Sequence, residues 1–423
     1  MAASISYRLT TLRWCVMLAL VSGVGIASSP ARAQVDTQTD AAGPVELIVR
    51  VSEADAASDA GVTVEAVLRG EESSLRTTLL RDVTGVRSAF PERPVALRQS
   101  ADWRDRVYLV SYPDSAALVA AQARWSDEPG VAYVQRNGTY TLDAVQPAVE
   151  DPLAGEPFAD SLAVLRVTRA VEAWGITLGD RDVRIGLLDT GLMLDHPDLA
   201  AQVWVNPGEI PGNGLDDDGN GFTDDVHGYD FVDRTVVLEE GDYRDRDADV
   251  SEDGAQDHGT LTAGVMSAAL DGQGMVGTAP GCALVVLRAF GRDGTAEDDD
   301  LAAALVYAAD LGVDVINLSF GRDRPSPLLE EALRYAHERG TVLVASGGNV
   351  GGDAPHYPSD YPEVIGVVWL ANDGLGRAST AQHGPGIDLG APASSVLTTR
   401  LARDEDPRPR EDQLYSRVGG SSL

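Results

Sequence analysis

Four side chains of the types used in nucleophilic and acid–base chemistry occur in the chain, each in a short and recognisable context. Asp189 follows the apolar run Val183–Leu188, and in parallel sheets catalytic groups collect where strands end. A buried strand rarely ends on a carboxylate unless another group pairs with it. His258 opens a run of small residues typical of a tightly packed helix, while Asn349 and Ser422 lie in glycine-rich turns. An asparagine amide in such a turn can donate to developing negative charge, and the four groups together indicate a catalytic site.

The elements that must hold these groups alternate between strand and helix from about Asp160 onward. Near-continuous apolar strands separated by helices predict an α/β fold with a parallel sheet covered on both faces. Strands are expected at Val183–Leu188, Leu284–Leu287, Val313–Leu318, Val342–Ala345 and Val364–Val368, and helices at Leu301–Leu311 and Leu328–Arg339. Ser326 is the expected N-cap of the second helix, with Pro327 in its first turn and Gly340 after its end.

The other five histidines have ordinary structural interpretations. His337 lies on the charged face of its predicted helix, and the histidines at 196, 227, 356 and 383 lie in loop-like sequence. A single histidine at a helix start is more often structural than catalytic. For His258, the motifs that accompany it elsewhere in the chain favour a catalytic role.

Residues 1–33 have the pattern of a secretory signal. Arg8 and Arg13 supply positive charge before the apolar run from Trp14 to Ala27, and Ala31-Arg32-Ala33 is a small-x-small cleavage site. A membrane anchor is the alternative, but the apolar run is short for a span. We therefore expect a secreted protein, extracellular or periplasmic, with no membrane association after signal cleavage.

Four further segments follow the signal. Residues 34–44 are polar and are expected to be a disordered linker. Residues 45–142 contain strands that enclose a helix, which predicts a small α+β domain. Residues 143–157 carry prolines and scattered acidic residues and are expected to be an exposed linker. The α/β region then occupies 158–423.

Charge and cysteine content exclude several classes of protein. The formal net charge is −33 at pH 7, and all 33 basic residues are arginines. Such a surface argues against nucleic acids and anionic membranes as partners. Cys15 and Cys282 are the only cysteines, so no disulfide framework is expected.

The motifs around the four groups resemble those of the subtilisin-like serine peptidases, the subtilases. They occur in the family's order, between Asp151 and the last residue. The matching motifs are Asp189-Thr190-Gly191 with His196-Pro197-Asp198-Leu199, His258-Gly259-Thr260 with Leu261 replacing a second histidine, Ala345 to Asn349, and Gly420-Ser421-Ser422-Leu423 with serine and leucine replacing threonine and methionine. The Asp–His–Ser chain order is that of subtilisin.

The resemblance implies a role for each group. Ser422 would attack a peptide carbonyl, His258 would transfer the proton, and Asp189 would orient the imidazole. The Asn349 amide would stabilise the oxyanion. For substrate binding, the resemblance implies pairing of an extended peptide with Ser319, Phe320 and Gly321, and a specificity pocket walled by Ala345, Ser346 and Gly347. His356 aligns near the base of that pocket and suggests a polar or acidic substrate side chain.

The resemblance also implies an organisation for the whole chain. A subtilisin-like three-layer domain with a mostly parallel sheet would follow a ferredoxin-like propeptide at 45–142, which assists folding and inhibits the enzyme as a zymogen. Self-cleavage would fall between about Leu142 and Pro157. The expected partners are an extended polypeptide substrate and the chain's own propeptide, and the enzyme is expected to be a monomer that needs no cofactor for its chemistry.

An acidic loop at 216–225 resembles the start of a calcium-binding loop. Asp216, Asp218, Asn220 and Asp224 place oxygen ligands at alternating positions, as calcium loops do. The final bidentate glutamate of such a loop is absent, because His227 occupies the twelfth position. Both a structural calcium site and a solvated acidic loop are consistent with the pattern.

Two other functions compete with the peptidase hypothesis. An aspartic peptidase would share the Asp-Thr-Gly motif but needs a second, paired carboxylate motif, and none occurs in a comparable strand context. A calcium-dependent binding protein on an inactive subtilase scaffold is the second alternative. The family continues after the nucleophile into a buried helix, so we expect residues 1–423 to be a truncated chain with weak or no activity.

Overall fold

The structure is a computed structural model of the chain. It describes residues 45–52, 64–70, 78–92, 102–143, 146–147, 164–233, 245–252, 256–371, 376–403 and 410–423. All of these residues belong to one compact unit that begins at Asp40. The expected signal at 1–33, the linker at 34–44 and most of the linker at 143–157 lie outside the described residues.

The small domain is built on a four-stranded antiparallel sheet. Its elements are β1 (Val45–Val51), α1 (Val64–Leu68), β2 (Gly85–Ser88), β3 (Val107–Tyr112), α2 (Ser115–Ser126) and β4 (Val131–Arg136), with spatial order β2-β3-β1-β4. Asp114 caps α2 by accepting a hydrogen bond from the Ala117 N–H. This is the α+β pattern that the sequence predicts for this region.

The two faces of the small sheet serve different cores. Leu47 and Val49 pack in the small domain's own core together with Trp125 of α2. Ile48, which points to the opposite face, belongs to the core of the larger domain. The alternation along β1 therefore attaches the small domain to the larger one through buried apolar surface.

A seven-stranded parallel sheet forms the centre of the larger domain. Its strands are β7 (Arg184–Asp189), β8 (Gly228–Asp230), β9 (Ala283–Arg288), β11 (Val315–Leu318), β13 (Val342–Ser346), β14 (Val364–Leu370) and β15 (Leu389–Pro392), in spatial order β15-β14-β13-β11-β7-β9-β8. Every neighbouring pair is parallel. The α/β class and the five predicted strands are confirmed, with bounds that shift by one or two residues.

Helices cover the sheet as expected. They are α3 (Ala170–Ala173), α4 (His258–Ser267), α5 (Asp298–Leu311), α6 (Pro327–Glu338) and α7 (Arg410–Gln413). Ser326 caps α6 by accepting from the Leu329 N–H at 3.2 Å, and Pro327 is its first residue, as predicted. Helix α5 begins at Asp298, three residues before the predicted start. Its acidic first turn is buried, whereas the sequence pattern is typical of a solvent-exposed segment.

Short strands outside the central sheet shape the edge of the larger domain. They are β5 (Thr139–Leu142), β6 (Gln146–Pro147), β10 (Thr295–Glu297), β12 (Phe320–Gly321), β16 (Val396–Thr399) and β17 (Tyr415–Gly419). Strand β5 lies between β10 and β12 and is antiparallel to both. The last residues of the segment predicted as the small domain thus pair with the larger domain instead of the small sheet.

Arginines connect the small domain to the acidic start of α5. The Arg87 guanidinium donates to Glu46 of its own domain at 3.1 Å, and to Asp233 and Asp299 of the larger domain at 3.0 and 3.2 Å. Arg246 approaches Asp299 from the larger domain at 3.4 Å. These cations compensate carboxylates that burial would otherwise make unfavourable.

Among the described residues, no helix combines the length and the apolar character needed to cross a bilayer.

Replacing Arg87 by glutamine should weaken the attachment of the small domain. The change leaves Asp299, which is fully buried, without one of its cationic partners. Loss of one partner of a buried pair is costly, and the part-exposed position of Arg87 places the expected loss at about 1–3 kcal/mol. Thermal unfolding measures it, with Arg81→Gln on the exposed surface as the control. Equal melting temperatures for the two variants would contradict this role.

Candidate active site

Asp189 and His258 meet where the central strand ends and a helix begins. Asp189 is the last residue of β7, which lies between β11 and β9, and His258 is the first residue of α4. His258 Nδ1 lies 2.8 and 2.9 Å from the two carboxylate oxygens of Asp189. Asp189 is fully buried and His258 is 5% exposed. A carboxylate at the end of a buried strand is expected to pair with another group, and the His258 imidazole is that partner.

The carboxylate determines the charge behaviour of the imidazole. Burial alone would lower the pKa of His258, but the charge of Asp189 and its hydrogen bond outweigh burial, so the pKa is raised above its ordinary value. Since Nδ1 donates to Asp189, Nε2 is the nitrogen that can exchange a proton with another group.

A glycine lets α4 approach the Asp189 turn closely. A Cβ on Gly259 would lie 2.0 Å from the carbonyl oxygen of Gly191. Its N–H donates to the Thr190 hydroxyl at 3.0 Å. A larger residue would push the start of α4 away from β7 and separate the imidazole from its carboxylate.

Glu252 lies behind the Asp189–His258 pair and was not identified from the sequence. It accepts from the Thr260 N–H and hydroxyl at 3.0 and 2.6 Å and contacts the Thr190 hydroxyl. Burial raises its pKa to about 7, against the effect of these hydrogen bonds, and the charge of Asp189 adds to the increase. No local motif marks this residue, since it lies in a short acidic segment typical of a surface loop.

Ser422 and His258 converge on one backbone carbonyl. The Ser422 hydroxyl donates to the carbonyl oxygen of Asp143, the residue that follows β5, and His258 Nε2 lies 3.4 Å from the same oxygen. Ser422 is buried, with 3% of its surface exposed. The sequence analysis placed Asp143 in a linker and gave it no role, because nothing local links it to residues more than a hundred positions away.

The Asn349 side chain is fixed against the Ser422 turn. Its Oδ1 accepts from the Ser421 N–H at 2.9 Å, which makes the NH2 group the donating end of the amide. The Ser319 hydroxyl donates to the Ser422 carbonyl at 2.8 Å and accepts from Asn317 at 2.7 Å. These bonds hold the loop that carries Ser422 against the ends of the parallel strands.

The residues expected to bind an extended peptide pair with β5. Phe320 and Gly321 form β12 opposite Leu142 and Thr141, and the Asp143 N–H donates to the Ser319 carbonyl at 3.1 Å. Residues 319–321, at the edge of the larger domain, therefore bind strand β5 and Asp143 through backbone hydrogen bonds.

The side chain of Asp143 enters a polar pocket. Its carboxylate contacts the Ser346 hydroxyl, and its Oδ2 lies 3.3 Å from His356 Nε2. Ala345 is part of the buried apolar core, and the Gly347 N–H donates to Val367 at 2.8 Å. Of the residues predicted for this pocket, Ser346 and His356 make polar contacts with the Asp143 side chain.

The acidic loop brings together some of the predicted calcium ligands. Carboxylate oxygens of Asp216 and Asp218 lie within 4.8 Å of each other and of Glu209, which the sequence analysis did not include. Asn220 donates to Asp218 at 3.3 Å. Asp224 does not join this group, since its carboxylate accepts from the N–H groups of residues 213 and 214.

Comparison with known protein families shows to which family the chain belongs. The family model described as "Subtilase family" matches residues 180–423, more than half of the chain. The chain belongs to the subtilase family. The resemblance inferred from the four motifs is thereby confirmed.

Two subtilase relatives match about half of this chain with roughly one third of the aligned residues identical. The thermophilic serine proteinase of Bacillus sp. (strain AK1) is 34% identical over 54% of this chain and 48% of the relative. Thermitase of Thermoactinomyces vulgaris is 31% identical over 55% of this chain and 70% of the relative. The chain thus spans about half the length of the first relative.

A solved structure supports the fold. The crystal structure of fervidolysin from Fervidobacterium pennivorans superposes with a TM-score of 0.61 and 21% identity, over 90% of this chain and 52% of that chain. At this identity the likeness establishes the subtilisin-like fold alone, and it confirms the predicted fold class.

Glu252→Gln should make folding less sensitive to pH. The folded pKa of Glu252, about 7, exceeds its ordinary value of 4.5, so its contribution is fully present below pH 4.5 and is lost as pH rises through 7. Glutamine stays neutral, so the variant should gain about 3 kcal/mol relative to the parent across this range. Melting temperatures at pH 4 and pH 8 measure the gain. A difference that does not change with pH would contradict the assignment.

Proposed function

We propose that the chain is the precursor of a secreted serine endopeptidase with the triad Asp189, His258 and Ser422. The observation that carries the proposal is the convergence of the Ser422 hydroxyl and His258 Nε2 on the carbonyl of Asp143. A peptide carbonyl is the group that a serine nucleophile attacks, and a histidine paired with a buried carboxylate is the base that activates it.

In this mechanism each group acts at a stated atom. Ser422 Oγ attacks the carbonyl carbon while His258 Nε2 takes the hydroxyl proton and gives it to the leaving amine, which breaks the C–N bond and leaves an acyl-enzyme. Water, activated by His258, then cleaves the ester and regenerates Ser422. Asp189 holds Nδ1 and stabilises the imidazolium that forms. The NH2 group of Asn349 donates to the oxyanion, a contribution of roughly 3–4 kcal/mol in the subtilisin example of this effect.

On this proposal, residues 45–143 are the enzyme's own inhibitor and its first substrate. Strand β5 fills the peptide-binding edge between β10 and β12, and the Asp143 carbonyl lies at the Ser422 hydroxyl. The bond to be cleaved is then Asp143–Ala144, within the range 142–157 expected from the sequence. The pattern of residues 1–33 supports export of this precursor.

A serine-directed probe tests the nucleophile. A fluorophosphonate should label the chain once cleavage after Asp143 has freed the site, and Ser422→Ala should abolish the label, because only an activated hydroxyl reacts quickly. Ser421→Ala is the matched variant, since it removes the adjacent hydroxyl and keeps the backbone N–H that holds Asn349. A label lost with Ser421→Ala and kept with Ser422→Ala would contradict the assignment, as would a chain that stays unlabelled after it has been cleaved at Asp143.

We further propose that the acidic loop holds a structural calcium ion. Glu209 is 7% exposed, and its Oε2 is buried with no hydrogen-bond partner, while Oε1 accepts from the Asp217 and Asp218 N–H groups. A buried carboxylate oxygen without a partner is unfavourable unless a cation binds it. Glu209, Asp216 and Asp218 supply the hard oxygen ligands that calcium prefers.

Added calcium should therefore stabilise the chain. Binding to the folded state alone contributes about 2.7 kcal/mol when calcium is at 100 times its Kd, so the melting temperature should rise in calcium relative to chelator. Glu209→Gln should remove this response, and magnesium should not replace calcium. Asp224→Asn should keep it, because Asp224 points away from the cluster. An equal response in the Glu209 variant would contradict the site.

A further inference from the structure

We propose that the primary specificity pocket of this chain selects aspartate, and that His356 is the residue that determines this selection. The inference rests on the proposed function, since it concerns the residue on the acyl side of the bond that Ser422 would cleave. It goes beyond peptidase activity because it names the side chain that the pocket accepts.

The strand bound at the site already presents an aspartate. The backbone of Asp143 is held by its N–H to the Ser319 carbonyl at 3.1 Å and by its carbonyl to Ser422. With the backbone fixed in this way, the side chain points into the pocket. The side chain is 12% exposed, and its carboxylate contacts the Ser346 hydroxyl and His356.

Both ring nitrogens of His356 face oxygen atoms. The Ser359 hydroxyl donates to the His356 carbonyl at 2.8 Å, so Ser359 Oγ is an acceptor toward His356 Nδ1, 3.0 Å away. Nε2 faces a carboxylate oxygen at 3.3 Å, and a carboxylate only accepts. An imidazole whose nitrogens both face oxygen atoms can present an N–H to a carboxylate, and this complements a negatively charged substrate side chain.

The backbone around His356 is built to hold the ring in place. A Cβ on Gly321 would lie 2.0 Å from Nε2, so only glycine at this position of β12 leaves room for the imidazole. Arg322 and Tyr357 exchange backbone hydrogen bonds at 3.0 and 2.9 Å, which fixes the segment after His356 against β12. His356 itself is 8% exposed. The ring is therefore a fixed wall of the pocket and not a mobile surface group.

This arrangement penalises other side chains in the pocket. An apolar side chain would leave the buried His356 Nε2 without its acceptor and the Ser346 hydroxyl with only the Leu318 carbonyl, at 3.4 Å. Sites built for a polar group reject analogues that lack it. Asparagine matches the shape of aspartate but lacks its charge, so it separates charge recognition from size. Glutamate is longer by one methylene and tests the depth of the pocket.

Peptides that copy the sequence of the bound strand test the selection. Acetyl-Tyr-Thr-Leu-Xaa coumarin amides, with aspartate, asparagine, glutamate or phenylalanine as the last residue, should be cleaved with kcat/KM at least about 10-fold higher for aspartate than for asparagine or phenylalanine. His356→Gln keeps a donor without the charge and should bring aspartate and asparagine to within about 2-fold. Preference for phenylalanine in the parent, or an unchanged aspartate preference in His356→Gln, would overturn the inference.

A double-mutant cycle separates this inference from the proposed activity. In the Ser422→Ala full chain, Asp143→Asn and His356→Gln should each lower the melting temperature, and the double variant should lose less than the sum. The expected coupling is about 5-fold or more in the unfolding equilibrium. Coupling in this background, together with a parent chain (Ser422 intact) that no serine probe labels, would refute the activity and keep the pocket assignment. Additive effects would overturn the pocket assignment even if labelling and peptide cleavage are seen.

Discussion

The buried carboxylate of Asp189 is the constraint on which the site depends. It lies at the end of a central strand with no exposure to water, and such a charge is stable only when hydrogen bonds and an opposite charge compensate it. The Thr190 N–H donates to it at 2.8 Å, and the helix of His258 begins where its imidazole reaches both oxygens. The position of α4 and the glycine that lets it approach both follow from this requirement.

A second constraint is the unpaired edge that the larger domain offers to an extended strand. Strands β10 and β12 are short, and β5 completes a three-stranded sheet with them. The same pairing carries Asp143 to Ser422, so the geometry that completes the fold also brings a peptide carbonyl to the Ser422 hydroxyl. On the proposed function, one set of backbone hydrogen bonds would serve both fold stability and inhibition.

The sequence was informative where chemistry depends on short local motifs. Asp189, His258 and Ser422 were identifiable because each lies in a motif whose neighbours are required by its turn or helix start. Glu252 and Asp143 were not, because their roles depend on contacts with residues that are distant in the chain. The early start of α5 was missed for the same reason: its acidic first turn reads as solvated, but arginines from other elements compensate its buried charges.

The most direct test of the account is the intact mass of the chain after incubation. We predict two fragments, one ending at Asp143 and one beginning at Ala144, with Ser422→Ala remaining a single chain under the same conditions. That result would place the Asp143 carbonyl at the nucleophile in a reacting molecule. Cleavage at another bond that still requires Ser422, or cleavage at Asp143 in the Ser422→Ala chain, would contradict the account.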